Sequence, residues 1–220
     1  VFITGTSCYF PNKPVSNEDM EDFLGLITGK HSRVKPVILK QNGIKQRYYA
    51  LTKEQKITHT NAEMAVNSIL QLLKNSDISN SEIELLSCAT SSPDQMLPSH
   101  ASMVHGLLKN KPLEIFSASG ICLSCLQAFK TAFWGVLSGE KRNAICSTSE
   151  LTSATLLSKN YDIEYEKCAD LGVQPYMALE KDFLRFMLSD GASAVLLQDN
   201  PGNGKALHVE WVEMTSYANE

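Results

Sequence analysis

Short apolar runs alternate with amphipathic helix patterns along most of this chain, and this alternation constrains the fold more than any other feature. Residues 83–90 and 113–118 are apolar segments of strand length, and a segment with helical periodicity follows each of them. The helix pattern at 60–75 begins with a capping box formed by Thr60 and Glu63. Alternating strands and helices predict an α/β layered sandwich.

Composition and charge narrow the class of function. The 220 residues are 43% hydrophobic and 20% charged, with a net charge of -4, which is ordinary for a globular domain. No long basic run argues for nucleic acid or an anionic membrane as a partner, and no apolar stretch reaches the roughly 20 residues of a membrane span. Because no secretory signal is visible, we expect a cytoplasmic location with reduced cysteines.

Residues 117–129 (SASGICLSCLQAF) carry the strongest chemical signal. A predicted strand runs into a glycine bend, and Cys122 stands at the start of an amphipathic helix that reaches Leu137. Unpaired N–H groups and the helix dipole favour an anion there, so a thiol at this position is favoured as thiolate. A thiolate can attack a thioester carbonyl, and the same N–H groups can stabilise the oxyanion. The predicted buried face of this helix comprises Leu126, Phe129, Phe133, Val136 and Leu137.

The local pattern alone leaves other interpretations open. A free cysteine at a helix start is more often a buried small side chain than a nucleophile. The spacing of Cys122 and Cys125 also fits a dithiol redox pair. A zinc site is disfavoured because no second C-x-x-C or paired His follows, and we predict no metal and no other cofactor.

Four segments resemble, in order and spacing, the motifs of the ketoacyl synthase III condensing enzymes of the thiolase superfamily. Residues 43–50 (GIKQRYYA) are similar to G-I-x-x-R-x-x-A, and residues 89–99 (ATSSPDQMLPS) to A-T-x-x-P-D-x-x-x-P-S. Residues 117–129 resemble the A-C-x-G-x-x-x-A-L motif, and residues 188–194 (LSDGASA) resemble F-G-D-G-A-G-A. The resemblance places Cys122 at the nucleophile.

The resemblance implies a fold and its boundaries. We expect a thiolase-like layered sandwich with a mixed five-stranded sheet and helices on both faces, the helix of Cys122 being buried between layers. Residues 1–198 would form the N-terminal half of a two-half fold, and residues 199–220 a linker and the first strand of a truncated C-terminal half. The family's catalytic His and Asn lie in that C-terminal half, so this chain alone is expected to be inactive.

The resemblance also implies an activity. Ketoacyl synthase III enzymes are acyltransferases that form a carbon–carbon bond between a Cys-bound acyl group and a second acyl thioester, in fatty-acid, polyketide or related biosynthesis. Residues 90–95, 120–124 and 183–191 look like the ketosynthases that build dialkylresorcinols. Two other hypotheses remain, a non-catalytic partner subunit of a condensing enzyme and a dithiol redox protein that uses Cys122 and Cys125.

Several further residues are candidates for substrate contact. Met96 and Leu97 match the position where family members push an apolar side chain across a dimer interface into the partner's acyl channel, so a homodimer is expected. Ser124 replaces the glycine that follows the nucleophile in the family motif. Glu150 and Ser189 are further candidate pocket residues. Other predictions are structural: Asp190 is expected to bond nearby N–H groups, and His100 and His105 to be partly buried or surface residues of one helix.

The donor of the acyl group is predicted to be an acyl carrier protein or acyl-CoA. Val37 and Gln41 stand where acyl-CoA-binding members carry a Trp and an Arg, which favours the carrier protein. Basic residues at 30–47 could attract an acidic carrier; the candidates for carrier binding are Arg33, Lys40 and Arg47.

Overall fold

The computed structural model describes residues 1–162, 182–217 and 219, and these form two compact units. Among the described residues, no helix is both long and apolar enough to cross a membrane. The strands in chain order are β1 (Phe2–Tyr9), β2 (Val15–Ser16), β3 (Gln46–Arg47), β4 (Leu85–Ala89), β5 (Glu114–Ala118), β6 (Asn143–Glu150), β7 (Gly191–Gln198) and β8 (Leu207–His208). The helices are α1 (Met20–Leu24), α2 (Lys35–Asn42), α3 (Asn61–Lys74), α4 (His100–Leu108) and α5 (Ile121–Leu137).

The first unit, made of Val1–Tyr9, Asn61–Glu150 and Ala192–Glu220, is built on one mixed sheet. Its strand order is β5-β4-β6-β7-β1-β8. β4 pairs in parallel with β5 and β6, and β1 pairs antiparallel with β7 and β8. The predicted α/β sandwich is confirmed, with six strands instead of five because β8 pairs with Phe2 and Ile3. The assignment of residues 199–220 to a further half stays a prediction.

Helices cover both faces of this sheet. α3 and α4 pack on one face, where Ile69 and Val104 join Leu86 of β4 in one apolar cluster. α5 packs on the other face, where Phe133 joins Leu85 of β4 in a second cluster. Leu85 and Leu86 face opposite ways because side chains alternate along a strand. The predicted helix at 60–75 is confirmed within one residue at each end, and α4 is the helix predicted to follow the strand at 83–90.

The face that α5 buries differs from the prediction. Phe133 and Val136 are buried as expected, but Leu126 is 44% and Leu137 is 60% exposed. Small side chains bring the helix close to the sheet, since Ala128 and Ala132 are fully buried and Ser87 of β4 donates a hydrogen bond to the Ala128 carbonyl at 2.8 Å. One side of α5 packs on the sheet and an apolar stripe of the described helix is exposed, so the expected burial of α5 between two layers stays a prediction.

The second unit comprises Phe10–Thr60 and the described residues of Leu151–Gly191. It holds α1, α2 and the short β2–β3 pair, and residues 182–187 are also helical. The basic segment at 30–47 contains α2, which starts at Lys35 with Pro36 in its first turn and is capped by Gly43, whose φ is 68°. Residues 163–181 lie outside the described residues.

Buried polar groups hold the second unit together around Asp190. This carboxylate is 1% exposed and accepts hydrogen bonds from the N–H groups of Ala50 at 2.7 Å and Ser153 at 2.8 Å. The hydroxyl groups of Ser153 and Thr152 donate to it as well. Burial raises the pKa of Asp190, and the hydrogen bonds from Ser153 and Ala50 oppose that shift. The predicted bonding of Asp190 to nearby N–H groups is confirmed.

Replacement of Asp190 by Asn should destabilise the protein by about 1–3 kcal/mol, because the new amide must turn its NH₂ group toward the N–H of Ala50 or Ser153. Urea unfolding followed by circular dichroism would show the loss as a lower midpoint. Asp77→Asn, which changes an exposed carboxylate, is the matched control and should leave the midpoint unchanged. Equal midpoints for both variants would contradict the role assigned to Asp190.

Candidate active site

Three parallel strands of the first unit end at one edge of the sheet. Ala89 of β4 lies opposite Ala118 of β5 and Thr148 of β6. Ligands of open α/β sheets bind outside the carboxyl ends of parallel strands. The segments that leave β4 and β5, together with Glu150 at the end of β6, therefore meet at this edge.

Cys122 is the second residue of α5 and follows the turn that leaves β5. Its side chain is exposed. Gly120 occupies the N-cap position, and no side chain there satisfies the first N–H groups of α5. The thiol thus stands beside a helix N-terminus whose N–H groups are available to an anion, as the sequence predicts.

The turn before Cys122 is strained. Gly120 has a φ of 151°, and Ile121 has a φ of 50°, a left-handed conformation that β-branched residues rarely adopt. Such a residue costs about 1–3 kcal/mol and persists only where its surroundings enforce it. The Ile121 side chain is 76% exposed, so little burial offsets the strain. The turn sets the direction in which α5 leaves the sheet and therefore the position of Cys122.

Glu150 anchors the loop that follows β4. Its carboxylate accepts hydrogen bonds from the Ser91 N–H at 2.7 Å and the Ser92 hydroxyl at 2.6 Å. The Thr90 hydroxyl is 3.5 Å from the same carboxylate. These contacts give Glu150 a positioning role toward the loop, and its predicted place in a substrate pocket stays a prediction.

The same loop is also tied to the start of α3. The Asp94 carboxylate accepts hydrogen bonds from the N–H groups of Asn61 at 2.7 Å and Ala62 at 2.9 Å. The Asn61 side-chain amide donates to the Thr90 hydroxyl and to the Ser92 carbonyl, each at 2.7 Å. Sequence reasoning attributed the start of α3 to its own capping box and missed Asp94, which lies 33 residues further along the chain.

His100 lies at the same edge and is a residue whose placement sequence reasoning missed. It is 3% exposed, and its Nε2 lies 3.1 Å from the Ser149 hydroxyl. Its Nδ1 is buried with no hydrogen-bond partner. Burial lowers the pKa of His100, although the charges of Asp94 and Glu150 act to raise it, so the ring is neutral at physiological pH. No motif in the sequence signals this burial, because His100 matches none of the His patterns that predict a site.

Three other predicted residues of the first unit differ in exposure. Met96 is 86% and Leu97 is 84% exposed in the loop before α4. Ser124 is buried, and its hydroxyl donates to the Ile121 carbonyl at 2.7 Å. The Ser124 proton is therefore used inside the first turn of α5, whereas Met96 and Leu97 remain available for contact.

The remaining predicted residues belong to the second unit. The Ser189 hydroxyl accepts from the Tyr48 N–H at 2.9 Å and donates to the Tyr48 carbonyl at 3.1 Å. Arg33 and Lys40 are exposed. Arg47, predicted to bind a carrier protein, is only 1% exposed.

The burial of Arg47 corrects that prediction. Its guanidinium donates to the Asn17 side chain at 2.6 Å and to the Phe186 carbonyl. A side chain enclosed in this way cannot present its charge to a docking protein. The motif arginine therefore serves the packing of the second unit.

An open groove of about 430 Å³ runs along β5 and α5. Ser119, in the turn before Cys122, lines one end of it. Its apolar surface comes mainly from Phe116, Trp134 and Met214, and Lys130 lies over the Trp134 ring at 4.9 Å. Within the described part of the chain, no cluster of His, Cys, Asp and Glu could hold a metal ion.

Comparison with known proteins identifies relatives of the chain. No family model matches it. Among curated proteins, β-ketoacyl-acyl-carrier-protein synthase III of Clostridium acetobutylicum is 29% identical over 156 residues, which cover 71% of this chain and 44% of the relative. The same enzyme of Limosilactobacillus reuteri is 29% identical over 196 residues, 89% of this chain and 50% of the relative. The chain thus spans about half the length of the curated relatives it matches.

Solved structures share the fold. The 3-oxoacyl-acyl-carrier-protein synthase III of Aquifex aeolicus superposes with a TM-score of 0.65 at 23% identity, over 89% of this chain and 53% of that one. The tetronic acid condensing enzyme AbyA1 gives a TM-score of 0.68 at 18% identity, over 91% of this chain and 53% of that one. The chain is therefore a homologue of the ketoacyl synthase III enzymes over about half of their length, and it shares the fold of these condensing enzymes.

Proposed function

We propose that this chain carries the nucleophile of a ketoacyl synthase III-type acyltransferase, and that the nucleophile is Cys122. The observation that carries the proposal is the exposed thiol at a strained turn, beside the N-terminus of α5 and at the carboxyl edge of three parallel strands. Strained turns of this kind cluster at active sites, where they fix reacting groups. The homology to synthase III enzymes agrees with this chemistry.

In the proposed reaction, the Cys122 thiolate attacks the carbonyl carbon of an acyl thioester. A new carbon–sulfur bond forms, and the donor thiol leaves after the tetrahedral intermediate collapses. The N–H groups at the start of α5 stabilise the oxyanion of that intermediate. Condensation of the bound acyl group with a second acyl thioester would use the family's His and Asn, which match no segment of this chain. The product class, whether fatty acid, polyketide or dialkylresorcinol, belongs to the same proposal.

An acyl carrier protein is the donor that we favour, acting in the cytoplasm where the nucleophilic thiol stays reduced. Arg33 and Lys40 are exposed cations of the second unit, and cations of this kind accelerate the approach of an acidic partner. Val37, which stands where acyl-CoA-binding members carry an aromatic ring, is 57% exposed. The chain therefore lacks a stacking ring for adenine at that position.

We also infer that the protein forms a homodimer through β5, the outermost strand on one side of its sheet. β5 is an edge strand, and Ile115 and Phe116 on it are each 37% exposed. An edge strand with exposed apolar side chains is a template for pairing with another strand. Trp134 of α5 lines the same groove as Phe116 and is also exposed. Other exposed apolar residues on α5 and in the loop before α4 are Leu137, Met96 and Leu97.

Replacement of Cys122 by Ser should lower acylation of the protein by at least about 100-fold, because a hydroxyl supplies almost no anion at neutral pH. The longest natural form of the protein would be incubated with acyl-carrier and acyl-CoA donors, digested and mapped by mass spectrometry. The acyl mass is expected on the peptide that contains Cys122. Cys125→Ala is the matched control and should be acylated like the wild type. A folded wild-type protein that takes no acyl group from any donor would favour a non-catalytic partner subunit.

Replacement of Ile121 by Gly should raise the free energy of unfolding by about 1 kcal/mol, because glycine adopts a left-handed φ without steric cost. The same change should slow acylation of Cys122 by about tenfold, since the turn that positions the thiol becomes mobile. Urea unfolding and single-turnover acylation would measure the two effects. Ile121→Ala removes the branched side chain but keeps the strain, so it controls for lost contacts. A slower reaction without a gain in stability would contradict the assigned strain.

Replacement of Phe116 by Lys should weaken homodimers by at least about tenfold, because charge on an edge strand opposes pairing with another strand. Sedimentation of the longest natural form over a range of concentrations would measure the dissociation constant. Leu70→Lys changes another exposed apolar residue, 48% exposed on α3, and should leave the association unchanged. A wild-type protein that sediments as a monomer throughout would overturn the proposed dimer.

A further inference from the structure

A second thiol shares the first turn of α5 with the proposed nucleophile. Cys125 is three residues beyond Cys122 and is partly buried, and its Sγ lies 3.2 Å from the Cys122 carbonyl oxygen. Residues three apart on a helix lie on the same side. The two cysteines are therefore neighbours, and the acylation chemistry gives Cys125 no task.

The separation of the two cysteines is close to what a disulfide needs. Cβ atoms three positions apart on a helix are about 5–6 Å from each other, whereas a disulfide joins Cβ atoms about 3.5–4.5 Å apart. Closing this gap requires the first turn of α5 to tighten. The N–H groups of a first turn have no partner within the helix, and this turn begins at Gly120 without a capping side chain. The side-chain hydrogen bond that the movement must accommodate is the one from Ser124 to the Ile121 carbonyl, which lies within the same turn.

The other cysteines of the first unit are poorer partners for Cys122. Cys146 is 4% exposed, and burial raises its pKa to about 12. Cys88 is fully buried, and burial raises its pKa still further. A thiol must ionise before it attacks another sulfur. Cys8 lies on β1, whereas Cys125 lies in the same helical turn as Cys122. Of the described cysteines, Cys125 combines the nearest position with access to solvent.

We propose that Cys125 is a resolving thiol that converts an oxidised Cys122 into a reversible Cys122–Cys125 disulfide. The oxidant is a hydroperoxide such as hydrogen peroxide. The Cys122 thiolate attacks one peroxide oxygen, a sulfur–oxygen bond forms, the oxygen–oxygen bond breaks, and hydroxide leaves. The Cys125 thiolate then attacks the sulfur of the Cys122 sulfenic acid, a sulfur–sulfur bond forms, and the sulfenic oxygen leaves as water after protonation. Two thiols and one peroxide thus give one disulfide and two waters.

The disulfide would protect the site between catalytic cycles. A sulfenic acid that finds no thiol is oxidised further to sulfinic acid, which cellular thiols do not reverse. A disulfide is reduced by a dithiol, which restores both cysteines. An acylated Cys122 has no free thiolate to oxidise, so oxidation reaches the enzyme only when it is unloaded. This protective value rests on the proposed function, whereas formation of the disulfide rests on the two thiols alone.

Peptide mapping after brief treatment with hydrogen peroxide tests the proposal. The tryptic peptide that ends at Lys130 contains Cys122 and Cys125 and no other cysteine. In the wild-type protein this peptide should lose the mass of two hydrogen atoms, and dithiothreitol should restore it. In Cys125→Ala it should gain two oxygen atoms, and the Cys122 thiol recovered with dithiothreitol should fall by at least about tenfold. Cys8→Ser, which removes an exposed cysteine of β1, should behave like the wild type.

Two results would overturn the proposal. One is a sulfinic acid on Cys122 of the wild-type protein while Cys125 remains free to react with iodoacetamide. The other is a disulfide that joins either cysteine to Cys146. The acylation experiment fails or succeeds independently of both, because it reports an acyl mass and no oxidation. A disulfide without acylation would contradict the proposed acyltransferase function and support the Cys122–Cys125 disulfide. Acylation without a disulfide would support the function and contradict the disulfide.

Discussion

Parallel pairing of β4 with both β5 and β6 is the constraint on which the candidate site depends. Because the three strands run the same way and share one register, the chain must leave all of them at one edge of the sheet. Cys122, the loop that begins at Thr90, and Glu150 are brought to that edge by backbone hydrogen bonding alone. An antiparallel β5 would place Cys122 at the opposite edge, away from the other two. The strand topology therefore determines where the candidate site lies, independently of side-chain contacts.

Two carboxylates then turn this edge into a defined surface. Glu150 accepts from the N–H of Ser91, and Asp94 accepts from the N–H groups at the start of α3. Loops need partners for their backbone groups, and carboxylates make strong hydrogen bonds of this kind. The first half of the loop after β4 is thus held at Ser91 and Asp94, and the exposed Met96 and Leu97 follow it. The observed contacts of Glu150 are thus with the loop that it holds, and its place in a substrate pocket stays a prediction.

Sequence patterns predicted the elements that carry strong local signals and failed where long-range packing decides. The strand–turn–helix around Cys122 was predictable because the apolar run, the glycine and the helical periodicity all lie within twenty-five residues of one another. The burial of Arg47 and His100 was not, since it depends on Phe186 and Ser149, which lie 139 and 49 residues away. The prediction of the buried face of α5 used the largest apolar side chains. The face that is buried is the one with Ala128 and Ala132, because small side chains let the helix approach the sheet. Local pattern shows where a helix forms, and the volume of its side chains shows which face it buries.

The first turn of α5 must satisfy two demands that oppose each other. Stabilising an oxyanion requires N–H groups that stay fixed, whereas a disulfide between Cys122 and Cys125 requires the turn to tighten. The strained residues Gly120 and Ile121 precede the two cysteines in the chain. The position of the helix start and the movement needed for the disulfide therefore depend on different residues. Residues 120–121 set the direction in which the chain leaves β5. Residues 122–125 form the first turn of α5, and tightening of that turn must carry along the hydrogen bond from the Ser124 hydroxyl to the Ile121 carbonyl. Acylation and oxidation therefore compete for the Cys122 sulfur, and each requires a different arrangement of the first turn of α5. A protein with an acyl group on Cys122 cannot form the disulfide.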